Sequence, residues 1–185
     1  LARAEGATLF MVLLSAFSAL LARYSGQTDV VVGTPIAGRN RGETEGLIVF
    51  FLNTLALRTD LSGDPAFREL LARVRETTLG AYAHQDVPFE RVLEEIQSER
   101  SLSHSPVFQV MLNLQNFGAG GEAGGVPGLA LEPLAGGGEE AARYDLTLYA
   151  SETADGLHLQ LVYDTDLFEA ERMAELLGHL RTLLE

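Results

Sequence analysis

The sequence predicts an α/β fold, a single lobe in which helices pack on a mixed sheet. Three observations predict it. Apolar residues from Leu9 to Ala22 recur at helical spacing. The run Val30-Val31-Val32-Gly33-Thr34 is apolar and β-branched, as in a buried strand. Two later segments, 143–151 and 157–163, alternate in polarity around Asp155-Gly156, a pair suited to a hairpin turn. A chain of 185 residues suits one domain, or one large lobe of a two-lobed domain. Its 46% hydrophobic content supports a packed core, and at this size roughly 70% of the unfolded surface can be buried.

The elements follow in order. Phe10, Leu13, Leu14, Phe17, Leu20, Leu21 and Tyr24 define a core helix over 8–24 that stops near Gly26. Its apolar run has the length of a signal-peptide core but falls short of the roughly 20 residues of a membrane span. After the strand at 30–34, the polar stretch from Pro35 to Gly46 reads as a loop, and Phe50 to Leu57 as a second strand. Asp64-Pro65 predicts a helix start, with Asp as cap and Pro at the first helical position. That helix runs to about Tyr82, with Phe67, Leu70, Leu71, Val74 and Leu79 toward the core. A short helix is expected from Phe89 to Gln97 and a strand from Val107 to Leu114. Residues 117–142 hold nine glycines, two prolines and four glutamates, and read as a long surface loop with an apolar island at Leu129 to Leu134. After the hairpin, Glu169 to Leu184 predicts an amphipathic helix with acids in its first turn, where the helix dipole favours them.

Charge narrows the function. The net charge is −13. Residues 1–92 hold 9 Arg against 10 acids, net −1, whereas 93–185 hold 4 Arg against 16 acids, net −12. Nucleic acid is not an expected partner, because phosphate binding needs a basic patch, and an anionic membrane is disfavoured on the same ground. All 13 basic residues are Arg, and no Cys is present, which excludes disulfides and thiolate metal sites. The His and carboxylate spacings match no metal-ligand pattern, and the glycines at 118–138 lack the Lys of a phosphate-binding loop. The composition fits a cytoplasmic location. The chain begins at Leu1 rather than Met, which reads as an excised piece.

Three stretches carry the chemistry. They are LIVFFLNTLALR at Leu47–Arg58, HQDVPFE at His84–Glu90, and RSLSHSPVFQVM at Arg100–Met111. In that order they resemble the last three signature motifs of condensation domains from nonribosomal peptide synthetases. LLARYSGQTDVVVG at Leu20–Gly33, GTPIAGRNRGETEGLIVFF at Gly33–Phe51 and DTDLFEAERM at Asp164–Met173 are similar to further family segments. The resemblance covers nearly the whole chain. It implies the C-terminal, mixed-sheet lobe of the chloramphenicol-acetyltransferase-like fold. The family joins a carrier-bound acyl or peptidyl thioester to a carrier-bound aminoacyl thioester through an amide. Its catalytic HHxxxDG lies in the N-terminal lobe and is absent here: His84, His104, His158 and His179 include no adjacent pair. The lobe alone is therefore expected to be inactive.

The resemblance also implies partners and contacts. The partners are the N-terminal lobe of the same domain and the donor and acceptor peptidyl carrier proteins. No cofactor is bound directly; the phosphopantetheine arms enter as substrates. Pro35 to Gly46 corresponds to part of the tunnel floor, and 117–142 to a segment bridging to the N-terminal lobe. Asn53 and Thr54 offer amide and hydroxyl groups to a pantetheine arm. Asn113, Gln115 and Asn116 either satisfy backbone groups or face the cleft. His84 is expected to fix a turn and Asp86 to cap the helix starting near Pro88; the alternative for His84 is a tunnel-lining imidazole. Gln85, Pro88, Phe89, Ser103 and Pro106 are expected to be structural members of the motifs. Arg39 and Arg41 are either solvated or meet an acidic carrier protein. His158 is expected on the outer strand face and His179 at an exposed helix position. Val49 stands where the family usually has Gly, and Ser101 where Asp is common; a bulkier residue at 49 would narrow the site. Two other functions share this scaffold: a non-catalytic module that docks carrier proteins, and a relative that epimerises, cyclises or forms esters.

Overall fold

The computed structural model describes residues 1–38, 52–96, 105, 107–115, 141–153 and 155–185. Helix α1 spans Leu9–Ser25. Thr8 caps it, its Oγ1 accepting the Met11 N–H at 3.2 Å. Gly26 ends it at φ 72, a left-handed conformation that a glycine adopts without strain, and its N–H closes on Ala22 O. Strand β1 (Asp29–Ile36) and strand β2 (Asn53–Asp60) pair antiparallel. Helix α2 covers Phe67–Ala83 and helix α3 covers Phe89–Ile96. Strand β3 is Val110–Gln115, and β4 (Leu146–Thr153) and β5 (Gly156–Tyr163) form the expected hairpin. Thr153 pairs with Gly156 across a two-residue turn. Helix α4, Ala170–Leu184, ends the chain.

The sheet order is β2-β1-β3-β4-β5. β1, β3 and β4 run parallel, with an antiparallel strand at each edge, so the sheet is mixed. Helices α1, α2 and α4 pack on one face. There Phe17, Leu13, Leu14, Leu71, Val74 and Leu180 meet Val32, Leu57, Leu112 and Leu148, all at or below 1% exposure. Burying each such side chain is worth about 1.5–3 kcal/mol. Surface ion pairs such as Arg91–Glu94 and Arg172–Glu175 are solvent-exposed and worth only about 0–1 kcal/mol each. The apolar layer therefore holds the fold together.

Several expectations are corrected. Helix α2 begins at Phe67, and its N-cap is Ala66, with no side-chain bond. Asp64 cannot serve as the cap. It sits at φ 50, directly after Gly63 at φ 82, and the two left-handed residues turn the chain, whereas a cap needs extended backbone. Leu79 is 47% exposed and Thr78 is buried in its place, because Leu70, Val74 and Thr78 form the inward row at four-residue spacing. Tyr24 is likewise exposed. β1 runs on through Pro35, which pairs with Thr54; it lies beyond the two positions where β1 pairs with β3, where a missing N–H is tolerated. β2 continues past Leu57 to Asp60, since exposed Arg58 and Asp60 alternate with buried Leu57 and Thr59. β3 starts three residues later than expected because Phe108 is committed elsewhere. The expected bridging segment 117–142 lies outside the described residues apart from 141 and 142.

Candidate functional site

Asn53, the first residue of β2, alternates with Leu55 and Leu57 onto the helical face. It meets the chain where that chain leaves α2. Its Nδ2 donates to Gln85 O and to Val87 O, each at 2.8 Å. Its Oδ1 accepts the Thr54 N–H at 2.8 Å and the Phe89 N–H at 3.1 Å. The side-chain amide has two donors and two lone pairs, and all four are used within the chain. The expectation of Asn53 as a pantetheine contact therefore gives way to a latch. The latch also supplies a cap at the first residue of α3, from a residue 36 positions earlier.

His84 is the C-cap of α2. Its backbone N–H donates to Ala81 O, and its carbonyl accepts from Val87 N–H, both at 3.1 Å. Backbone bonds thus form the turn, and the imidazole belongs to an exposed residue. Pro88 O accepts from Arg91 and Val92, which places Pro88 just before α3. Gln85 and Asp86 lie in the turn between. At the end of α2, burial pushes the Tyr82 hydroxyl pKa up.

Phe108 joins the second motif to the third. It is 1% exposed. The Phe89 and Phe108 ring centroids lie 5.5 Å apart, and those of Phe108 and Tyr144 lie 5.4 Å apart, within the range of favourable aromatic pairs. The Phe108 ring covers Gly33 of β1: a Cβ there would lie 2.3 Å from Phe108 Cε2. Segments far apart in sequence thus meet at one place, through Asn53, Phe89 and Phe108.

The sheet face opposite the three packed helices continues from this cluster. Cross-strand partners share a face, and successive residues alternate between faces. Gly33 pairs with Ala56 and Met111, and Met111 with Thr147, a row that begins under the Phe108 ring at Gly33. Two residues farther along, Thr54 pairs with Pro35, and Asn113 with Tyr149, which pairs with Gln160. The row beyond is Gln115, Ser151 and His158. Thr54, Asn113 and Gln115, three of the expected contact residues, therefore lie on one face in a polar strip. Tyr149, Ser151 and Gln160 join them and are new to the site. The polar alternation on both sides of Asp155-Gly156 held the signal that would have found them, although the observed register, Thr153 with Gly156 and Ser151 with His158, places Gly156 in β5 rather than in the turn.

Other expected residues stand apart. His179 is exposed on α4, with Nδ1 2.7 Å from the Tyr24 hydroxyl. Arg39, Arg41, Ser103, Pro106 and Asn116, and with them Val49 and Ser101, lie outside the described residues. Among the described residues no cluster of His and carboxylates could hold a metal, and no helix is long and apolar enough to cross a membrane.

Comparison with known proteins matches this arrangement. The chain is 54% identical to a linear gramicidin synthase of Brevibacillus parabrevis over 186 residues, all of this chain but 4% of that protein's length. It aligns with the X-domain from teicoplanin biosynthesis at 34% identity and a TM-score of 0.84, covering 98% of this chain and 42% of that one. With a four-domain nonribosomal peptide synthetase the TM-score is 0.85 at 28% identity, covering 99% and 15%. The chain thus has the mixed-sheet α/β architecture of the chloramphenicol-acetyltransferase-like fold. The family model described as Condensation domain matches residues 1–185, and this chain belongs to the condensation domain family.

Proposed function

We propose that the chain is the C-terminal lobe of an amide-forming condensation domain in a nonribosomal peptide synthetase, working in the cytoplasm. The observation that carries this reading is the polar strip of Thr54, Asn113 and Gln115 on one sheet face, next to the junction of the motif segments. A phosphopantetheine arm carries amide groups and a hydroxyl along its length, and the strip offers matching hydroxyl and carboxamide groups. In the reaction, the acceptor amine attacks the donor thioester carbonyl. The C–N bond forms, the C–S bond breaks, and the proton leaving the amine ends on the departing thiolate. This lobe supplies a wall that orients the arms, and orientation alone can lower such a barrier by several kcal/mol. The group that handles the proton comes from the N-terminal lobe, since no His pair exists in this sequence. The Gly-rich segment 117–142 bridges to that lobe, and the donor and acceptor carrier proteins are the other partners.

The test supplies loaded donor and acceptor carrier proteins to the isolated chain and to the two-lobed domain, and reads dipeptidyl thioester by intact-mass spectrometry. Product from the two-lobed domain alone supports the proposal. Turnover by the isolated chain would overturn the division of labour between lobes. Carrier binding without product in either form would favour the docking module.

A further inference from the structure

We infer that Asn53 is a positioning residue for the condensation reaction. Its carboxamide holds Thr54 and the 84–89 turn in one fixed relation, so the cleft wall keeps its place when a substrate arm lies against it. The inference rests on the condensation reading above and names a residue on which that wall depends.

The geometry carries it. Among the described residues the turn's backbone-to-backbone bonds are local: His84 N–H to Ala81 O, Gln85 N–H to Tyr82 O and Val87 N–H to His84 O. Such bonds shape the turn but do not place it relative to the sheet. Asn53 does, with donors to two turn carbonyls and an acceptor for the first amide of α3. The same Oδ1 holds the Thr54 N–H, and Thr54 is the residue whose side chain lies on the strip's face of the sheet. Displacing the carboxamide therefore shifts two parts of the wall together: Thr54 on the sheet, and Phe89 with the Phe108 ring it touches.

The chemistry of the side chain makes the role testable. Aspartate has the same shape and keeps both acceptor functions, but its ionised carboxylate has no proton for Gln85 O and Val87 O and faces them with negative charge. The protonated form regains one O–H donor. Partial burial beside two carbonyl oxygens disfavours ionisation, so that proton is taken up as pH falls. Alanine cannot respond to pH at all.

The experiment uses the two-lobed condensation domain with loaded carrier proteins, well below the melting temperature of the weakest variant. It compares the wild type with Asn53→Asp and Asn53→Ala. Both should lose at least about tenfold in kcat per folded enzyme, since small misplacements of reacting groups are costly. Relative to wild type, Asn53→Asp should recover part of that loss as pH falls, and Asn53→Ala should not. Rates within about twofold of wild type for both variants, or the same pH profile for both, overturn the inference. Absence of product from the wild type strikes the condensation reading instead. The positioning role is then decided by hydrogen exchange in the same protein: faster exchange at residues 84–92 in Asn53→Ala supports it, and unchanged exchange overturns it.

Discussion

The Phe108 ring occupies the space that a side chain at Gly33 would take. The ideal Cβ position at Gly33 lies 2.3 Å from Cε2, 2.5 Å from Cζ and 2.7 Å from Cδ2 of Phe108. Glycine is thus required at position 33 by packing, in a strand where it otherwise weakens structure.

Gly33→Ala should destabilise the lobe by about 1–3 kcal/mol, the usual cost of overpacking. Because the Phe108 ring would have to move, its contacts with Phe89 and Tyr144 should loosen as well. Replacing Phe108 with Leu in the Gly33→Ala background should recover part of the loss. Chemical denaturation of the four proteins in this double-mutant cycle measures the coupling. Strict additivity would show that the two positions do not compete for space.

Ser18 lies inside α1 at 0% exposure, and its hydroxyl has no hydrogen-bond partner among the described residues. Ser18→Ala removes an unsatisfied polar group and introduces the best helix former. The variant should be more stable by about 1 kcal/mol, read as a higher melting temperature. A lower melting temperature would mean that the hydroxyl is paired.

His84 holds its turn through backbone atoms, so His84→Ala should change stability by less than about 1 kcal/mol. Activity of the two-lobed domain should fall no more than about tenfold, given the exposed ring. A loss beyond about a thousandfold at unchanged stability would place the imidazole at the reaction centre.

Arg58 donates to both carboxylate oxygens of Asp29, at 2.9, 3.0 and 2.6 Å. This hydrogen bonding, with the charge of Arg58, holds the Asp29 pKa below its ordinary 3.8. A folded-state pKa lowered in this way contributes stability above the unfolded-state value, and that stability is lost as pH falls through the depressed one. The pair is exposed, so the contribution is small. The stability difference between wild type and Arg58→Ala should be present at neutral pH and shrink below pH 3.8. A difference that persists unchanged in acid would assign it to packing of the Arg58 stem.

Carrier proteins of this family are acidic, as the resemblance implies, and the half from 93 to 185 carries a net −12. Like charges slow encounter. Reversing Arg39 and Arg41 to Glu in the two-lobed domain should weaken carrier binding, most at low salt, where screening is least. If Glu139→Arg with Glu140→Arg weakens binding more, the docking surface lies in the acidic half.

The sequence by itself determined the element types, the mixed sheet and the family. Each rests on local chemistry: the helical period of Phe10 to Leu20, the β-branched run at 30–34, the Asp155-Gly156 turn pair, and three ordered motifs. The same local reading also misled. Asp64-Pro65 has the composition of a helix start, yet Gly63 and Asp64 are spent on a turn. Asn53 has the chemistry of a substrate contact, yet its four hydrogen bonds close within the chain. Only the tertiary structure decided these cases. The atoms that use up the Asn53 carboxamide lie up to 36 positions away, and the ring that forbids a side chain at Gly33 belongs to position 108. No period or turn rule spans such distances. Strand register gathers Thr54, Asn113, Gln115, Tyr149 and Ser151 on one face. Register between β1 and β3 is set by the burial of whole faces against the helices, a property of the packed lobe rather than of any single segment.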